Sequence, residues 1–390
     1  VASIVTSVDC ATESLQGAID ATAPFAAEIT VFNVCEESIV IDRDGVRLVG
    51  GVGGSGDPEI DGSFTDDAPA VTVRNADGVA ITGMAVHDTL DPAIMASDSS
   101  VTLQDSNVTS GSSGASENRA VVGNSSSIRT NNTSIILTTN STEGTSFLDR
   151  ANDALLLVNG SSGVIGANTT IQSENGFRNR AIVVASGSAL RFEGAGSLIS
   201  NGGSTESATS ALLVSNGSNA FIEGSPRFVG RMIALGANIQ FFSNDIVVDG
   251  TLLIVRGGVV EVAGSCTGDV CSTTVGAPGG TGLLVSENGT INATGLHVSG
   301  ATVIRGNSSV SLINSFADLL VLGGRYTNIQ LLSETSVSSI ICGIEQGASQ
   351  ILIDTDNGAE IRDGTNPVQF GGVSADADST CVIGPSGPVF

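Results

Sequence analysis

The chain contains no lysine and no tryptophan, one tyrosine and two histidines. Without lysine there is no lysine base, Schiff base or P-loop, which closes those covalent and phosphate chemistries. With only His87 and His297, and six cysteines at wide spacing, a Cys/His zinc site is not expected. The lone Tyr326 leaves almost none of the flat amphipathic rings that commonly stack on sugars. No apolar run approaches the roughly twenty residues that a membrane-spanning helix needs. Positive charge is scarce too: 15 arginines face 40 acidic residues, for a net charge of −25. Such a surface repels nucleic acid and anionic membranes, so neither is an expected partner.

The chain nevertheless has the means to fold. It is 41% hydrophobic and only 14% charged, which excludes an acidic disordered tail, and its 50 glycines supply bends. Its theme is a run of three to five aliphatic residues, a corner of Asn, Gly or Ser, and a second β-prone run. Examples are 119–128 (RAVVGNSSSI), 153–164 (DALLLVNGSSGV), 180–190 (RAIVVASGSAL), 211–221 (ALLVSNGSNAF) and 282–291 (GLLVSENGTI). Starts near 120, 154, 181, 211, 232, 252, 283, 302, 319 and 340 recur about every 24 residues, the size of a solenoid repeat. The runs are too short and too rich in Val and Ile for helices. Alternation, as in Val71-Thr72-Val73, Val79-Ala80-Ile81 and Ile351-Leu352-Ile353, places one side chain inward and the next outward. The expected fold is all-β: a single-stranded right-handed parallel β-helix, with Asn and Gly at corners of left-handed backbone.

The amino-terminal region reads differently. Residues 12–21 (TESLQGAIDA) form the one convincing helix, with Thr12 as N-cap and Leu15, Ala18 and Ile19 on one apolar face. A helix there covers the otherwise open first coil. The expected organisation is a cap over 1–39, a β-helix over 40–365 and a closing segment over 366–390. Together, Cys10, Ser14-Leu15-Gln16, Ala18-Ile19, Ile29-Thr30-Val31, Cys35-Glu36, Val46-Arg47-Leu48-Val49-Gly50 and Val79-Ala80-Ile81-Thr82-Gly83 resemble secreted bacterial right-handed β-helix proteins of the broad pectin-lyase-like fold. The resemblance implies a fold and no specific activity, because that fold hosts lyases, hydrolases, epimerases, adhesins and tailspikes.

Six cysteines at wide spacing read as disulfides, and proximity pairs Cys10 with Cys35, Cys266 with Cys271 and Cys342 with Cys381. Disulfides imply an oxidising compartment, and a start at Val1 fits a chain cleared of a signal peptide, so the expected location is extracellular or at the cell surface. Eleven Asn-x-Ser/Thr sequons, among them Asn107, Asn124, Asn159, Asn216, Asn288 and Asn307, are glycan acceptors in a secreted chain. The same residues also suit β-helix corners.

Chemistry-bearing clusters are few. Arg74, His87, Asp88 and Asp91 offer an arginine for a carboxylate and an imidazole for acid–base work; the other reading is an outward turn, HDTLDP. Asp66-Asp67 is the one Asp-Asp pair, without the companion motifs that the fold's hydrolases carry. Asp354, Asp356 and Glu360 have spacing that suits a structural calcium ion, or a plain corner; no other cofactor is called for. His297 alternates outward, while Phe221, Phe241 and Phe242 are expected to stack inside. Residues 1–8 (VASIVTSV) have two readings as well. They fold back as the chain's own first strand, or they add to the open coil of a neighbour and build end-to-end assemblies.

Two functions follow. The first is a non-catalytic extracellular structural or surface protein, a filament or matrix subunit or an adhesin, with itself or extracellular carbohydrate as partner. The second is a polysaccharide lyase or glycoside hydrolase with an atypical site.

Overall fold

The computed structural model is a parallel β-helix solenoid, built almost wholly from short parallel strands wound into coils. It describes residues 4–385 apart from 53–55, 65–67, 90–91, 113–117, 140–151, 175–178, 201–208, 243–244, 268–269, 277–278, 324–326, 343–348, 354–359, 364–365, 368–372 and 376–380. The chain divides into two compact units, Val1–Leu212 and Leu213–Phe390.

In the first unit each complete coil contributes one strand to each of three faces. On the first face Val46–Gly50, Val79–Thr82, Ser100–Gln104, Ser127–Asn131, Ser162–Ile165 and Ala189–Phe192 pair in sequence. The second face carries Glu59–Asp61, Ala85–Asp88, Asn107–Ser112, Ser134–Thr139, Thr170–Glu174 and Leu198–Ser200. The third carries Val71–Arg74, Ile94–Ser97, Asn118–Asn124, Asn152–Val158 and Asn179–Val184. Strand alternation then fills the core. On the second face Ile60, Val86, Val108, Ile135, Ile171 and Ile199 stand one above another, all at 0% exposure. Gly163 interrupts the comparable stack on the first face, and the side chains of Leu157 and Leu190 occupy the space that its Cβ would take.

The third face departs from simple alternation. In Asn152–Val158 every residue except the last is buried, and the outward Val122, Leu156 and Val183 are at most 8% exposed. Continuous aliphatic runs such as Leu155-Leu156-Leu157 suit strands covered on both sides. Two polar ladders mark the start of this stretch. Asn118 Nδ2 donates to Asn152 Oδ1 at 3.0 Å, and Asn152 Nδ2 to Asn179 Oδ1 at 3.5 Å. Beside them, Asp153 stands in register between Arg119 and Arg180.

The corners explain the Asn, Ser and Gly content. Positive φ recurs at Asn75, Asp98, Ser125, Asn159 and Ser186, where the chain turns from the third face to the first. Ala76 stands beyond the first of these corners, and beyond the others a serine turns inward and bonds from coil to coil. Ser99 N–H donates to Ser126 Oγ at 3.2 Å, Ser126 N–H to Ser161 Oγ at 3.1 Å, and Ser161 N–H to Ser188 Oγ at 3.1 Å. Ser161 is 1% exposed. Ser161→Ala therefore strands the Ser126 N–H, at an expected cost of about 1–3 kcal/mol. Urea unfolding measures the cost, and an unchanged midpoint would remove the ladder from the stabilising interactions.

The cap helix spans Leu15–Ala21 with Ser14 as its N-cap, whose Oγ accepts from Gly17 N–H at 3.1 Å. This corrects the expected start at Thr12. Thr12 and Glu13 belong to the turn after the first strand, where both N–H groups donate to the Asp9 carbonyl and Glu13 Oε2 takes the Asp9 N–H. The helix covers the first complete coil through three contacts. Glu37 accepts from the Ser14 hydroxyl at 2.9 Å and Leu15 N–H at 2.5 Å. Gln16 bonds both backbone groups of Val40, filling the place of a neighbouring strand beside Ile39–Ile41. Arg43 donates to the Ile19 carbonyl at the helix carboxyl end. The Cys10–Cys35 disulfide closes this region, with Leu15 and Ile19 buried beneath. Residues Ile4–Asp9 fold back onto Ala27–Phe32 as the chain's own first strand.

The second unit repeats the plan with coils of unequal length: Asn238 lies 19 residues from its bonded partner Asn219, and Glu287 lies 31 from its partner Arg256. From Leu296 onward the second and third strands of a coil merge into longer strands, Leu296–Arg305 and Phe316–Gly323, with a register break between Val298 and Ala301. Cys266 and Cys271 form a disulfide that closes a small antiparallel hairpin. The expected Cys342–Cys381 bridge lies outside the residues whose side chains are described. Of the phenylalanines expected inside, only Phe241 is buried; Phe221 alternates outward and Phe242 is 50% exposed. Phe228 and, in the first unit, Phe192 fill core positions.

Candidate functional site

Where the first face of unit one turns into the second, the sequence repeats a short motif: Asp105-Ser106-Asn107, Asn132-Thr133-Ser134 and Asn168-Thr169-Thr170. The first residue adopts positive φ at each turn, which Asp and Asn tolerate best among residues with a side chain. The middle hydroxyl turns in: Ser106 Oγ donates to the Ile81 carbonyl at 3.1 Å and Thr133 Oγ1 to the Leu103 carbonyl at 3.1 Å. The third residue opens the strand and faces out, so Ala85, Asn107, Ser134 and Thr170 stand in register.

These ladders border an open groove of about 450 Å³ that includes Asp57, Pro58, Gly83 and Met84. Its chemistry is amide, hydroxyl and carboxylate. Part of it is already committed, since Asn132 Nδ2 donates to Asp105 Oδ1 at 2.6 Å. Among the described residues, Asp57 and Asp105 are the charges in the lining, and no arginine joins them. The groove therefore repels anions and offers donors and acceptors at each coil to a neutral polyhydroxylated ligand. Among the described residues it holds no hydroxyl paired with a basic side chain.

Of the cluster expected to carry acid–base chemistry, the three described members point different ways. Arg74 ends a third-face strand, and its guanidinium lies 3.9 Å from Asp42 with both groups exposed. His87 faces out from the second face, where Nδ1 meets Thr109 Oγ1 at 2.8 Å. Asp88, the next residue, turns inward and is 1% exposed, because adjacent residues of a strand face opposite sides. Asp91, Asp66 and Asp67 lie outside the described residues, as do the side chains of Asp354, Asp356 and Glu360. Among the described residues no group of three His, Cys, Asp or Glu side chains could hold a metal ion. His297 faces outward as expected and meets Phe316 edge-on, with ring centroids 5.0 Å apart.

The sequons divide by position. Asn159, Asn216, Asn288 and Asn307 are corner residues with positive φ, whereas Asn107 opens a strand and Asn124 ends one. Asn159 Nδ2 donates to Asn124 Oδ1 at 2.8 Å, so these two amides serve a corner ladder. Reading by named catalytic motifs overlooked the groove, although the repeated Asx–Ser/Thr–polar triplet signals it. No helix among the described residues is long and apolar enough to cross a membrane. The two disulfides are compatible with an extracellular protein. No protein-family model, curated protein or solved structure matches this chain.

Proposed function

We propose that this chain is a secreted, non-catalytic β-solenoid of the pectin-lyase-like kind, serving a structural or cell-surface role. One observation carries the reading. Arg74, His87 and Asp88, the groups best suited to catalysis, are dispersed to different faces or opposite sides of a strand. Arg74 is met by Asp42 and His87 by Thr109. The groove of unit one supports the surface role, because its uncharged amides and hydroxyls suit neutral saccharide chains better than polyuronates.

The test is a cleavage screen over acidic and neutral polysaccharides, read as new reducing ends and as unsaturated uronate absorbance. No turnover above the blank is expected. Turnover that disappears in Arg74→Ala or His87→Ala would overturn the reading in favour of a lyase or hydrolase. Binding of neutral oligosaccharides, weakened by Asp105→Ala, is the expected outcome for the groove.

A further inference from the structure

The strand Ile4–Asp9 is paired on one side only among the described residues. Its Ile4 N–H bonds the Ala26 carbonyl, and the Cys10 N–H bonds the Phe32 carbonyl. In a parallel ladder this alternation directs the N–H and C=O groups of Val5 and Ser7 the other way, to the free edge. Val5 is 70% and Ile4 37% exposed. Proteins usually blunt such an edge with a charge, a proline or a cover. Here the neighbouring edge, Ile39–Ile41, is closed by the Gln16 amide, and the Asp9 N–H by Glu13. The segment from Ile4 to Val8 has no charge and no proline, and it is rich in β-branched residues.

We propose that this edge pairs with the same edge of a second copy, antiparallel, about a two-fold axis through Thr6. Val5 of each copy then exchanges both backbone hydrogen bonds with Ser7 of the other, and Thr6 stands opposite its own copy. The pattern is self-complementary, as a two-fold interface requires. The inward residues Ile4, Thr6 and Val8 stay on the core side in both copies, because pairing across an edge preserves the face. Head-to-tail addition is the competing geometry. The first-face strand Cys381–Pro385 is a poorer partner for it, because Gly384 and Pro385 weaken and blunt an edge. This pairing deepens the structural or surface reading; it can fail while the cleavage screen still upholds that reading.

Sedimentation velocity of the chain over a range of concentrations is expected to show a reversible monomer–dimer equilibrium that stops at two. Val5→Pro removes an outward N–H without touching the internal ladder, and is expected to weaken dimerisation at least about tenfold, equivalent to roughly 1.4 kcal/mol. Thr6→Cys keeps the test independent of any folding defect in the proline variant. Opposed residues at a non-hydrogen-bonded antiparallel site have Cα atoms about 4.5 Å apart, within disulfide reach. Mild oxidation should therefore give a covalent dimer. A monomer at every concentration with no cross-link, or filaments growing beyond two copies, would overturn the proposal.

Discussion

Replacing Asp153 with alanine is expected to lower the stability of the first unit by about 3–5 kcal/mol, the usual result of removing one partner from a buried ion pair. Asp153 is 1% exposed and sits where the third face is covered on both sides. Its two oxygens accept from Arg180 Nε at 2.6 Å and Nη2 at 2.9 Å, and Arg119 stands in register on the other side. Without the carboxylate, the Arg180 side chain, 24% exposed, is left with its charge only partly hydrated. Asp153→Asn keeps the shape and loses the charge, so it should fall between wild type and alanine. Guanidinium unfolding monitored by circular dichroism reads the order, and a loss below about 1 kcal/mol would reduce this ladder to the standing of a surface pair. The exposed pair between Arg256 and Glu287, at 3.4 Å, provides the contrast and should contribute little.

That contrast shows which parts of the molecule were legible in the sequence. Coil size, strand alternation and left-handed corners were, because each follows from local chemistry: β-branched runs, period-two polarity, and Asn or Gly where φ turns positive. Val71-Thr72-Val73 and Val79-Ala80-Ile81 alternate as read. The Cys10–Cys35 and Cys266–Cys271 bridges follow the same logic of proximity. What could not be read is set between coils. Thr12 and Ser14 both satisfy the local grammar of an N-cap, and the choice falls to Ser14 because Asp9 takes Thr12 and Glu37 takes Ser14. Likewise, His87 and Asp88 are neighbours in the chain, and pleating sends one outward and the other in. A constellation composed from sequence neighbours in a strand is thus split by the strand itself. The groove at Asp105, Asn132 and Asn168 arises the opposite way, from residues far apart in sequence that share one corner.

Phe241 and Phe242 give the most direct test of that pleating, since their compositions and neighbours are nearly the same. Phe241 ends the strand Asn238–Phe241 and is 1% exposed, in register between Ile222 and Val262. Phe242 follows and is 50% exposed. Phe241→Ala removes a ring from a close-packed stack and is expected to cost about 3–5 kcal/mol. Phe242→Ala should change stability by no more than about 0.5 kcal/mol. Because each coil contacts mainly its neighbours, the damage from Phe241→Ala should be local. Amide exchange is expected to accelerate first in Asn219–Ile222 and Val259–Ala263, the strands that flank it. Equal losses from the two variants would mean that the inward and outward assignment of this coil is wrong. Uniform acceleration across the unit would instead mean that its coils open together, as one cooperative block.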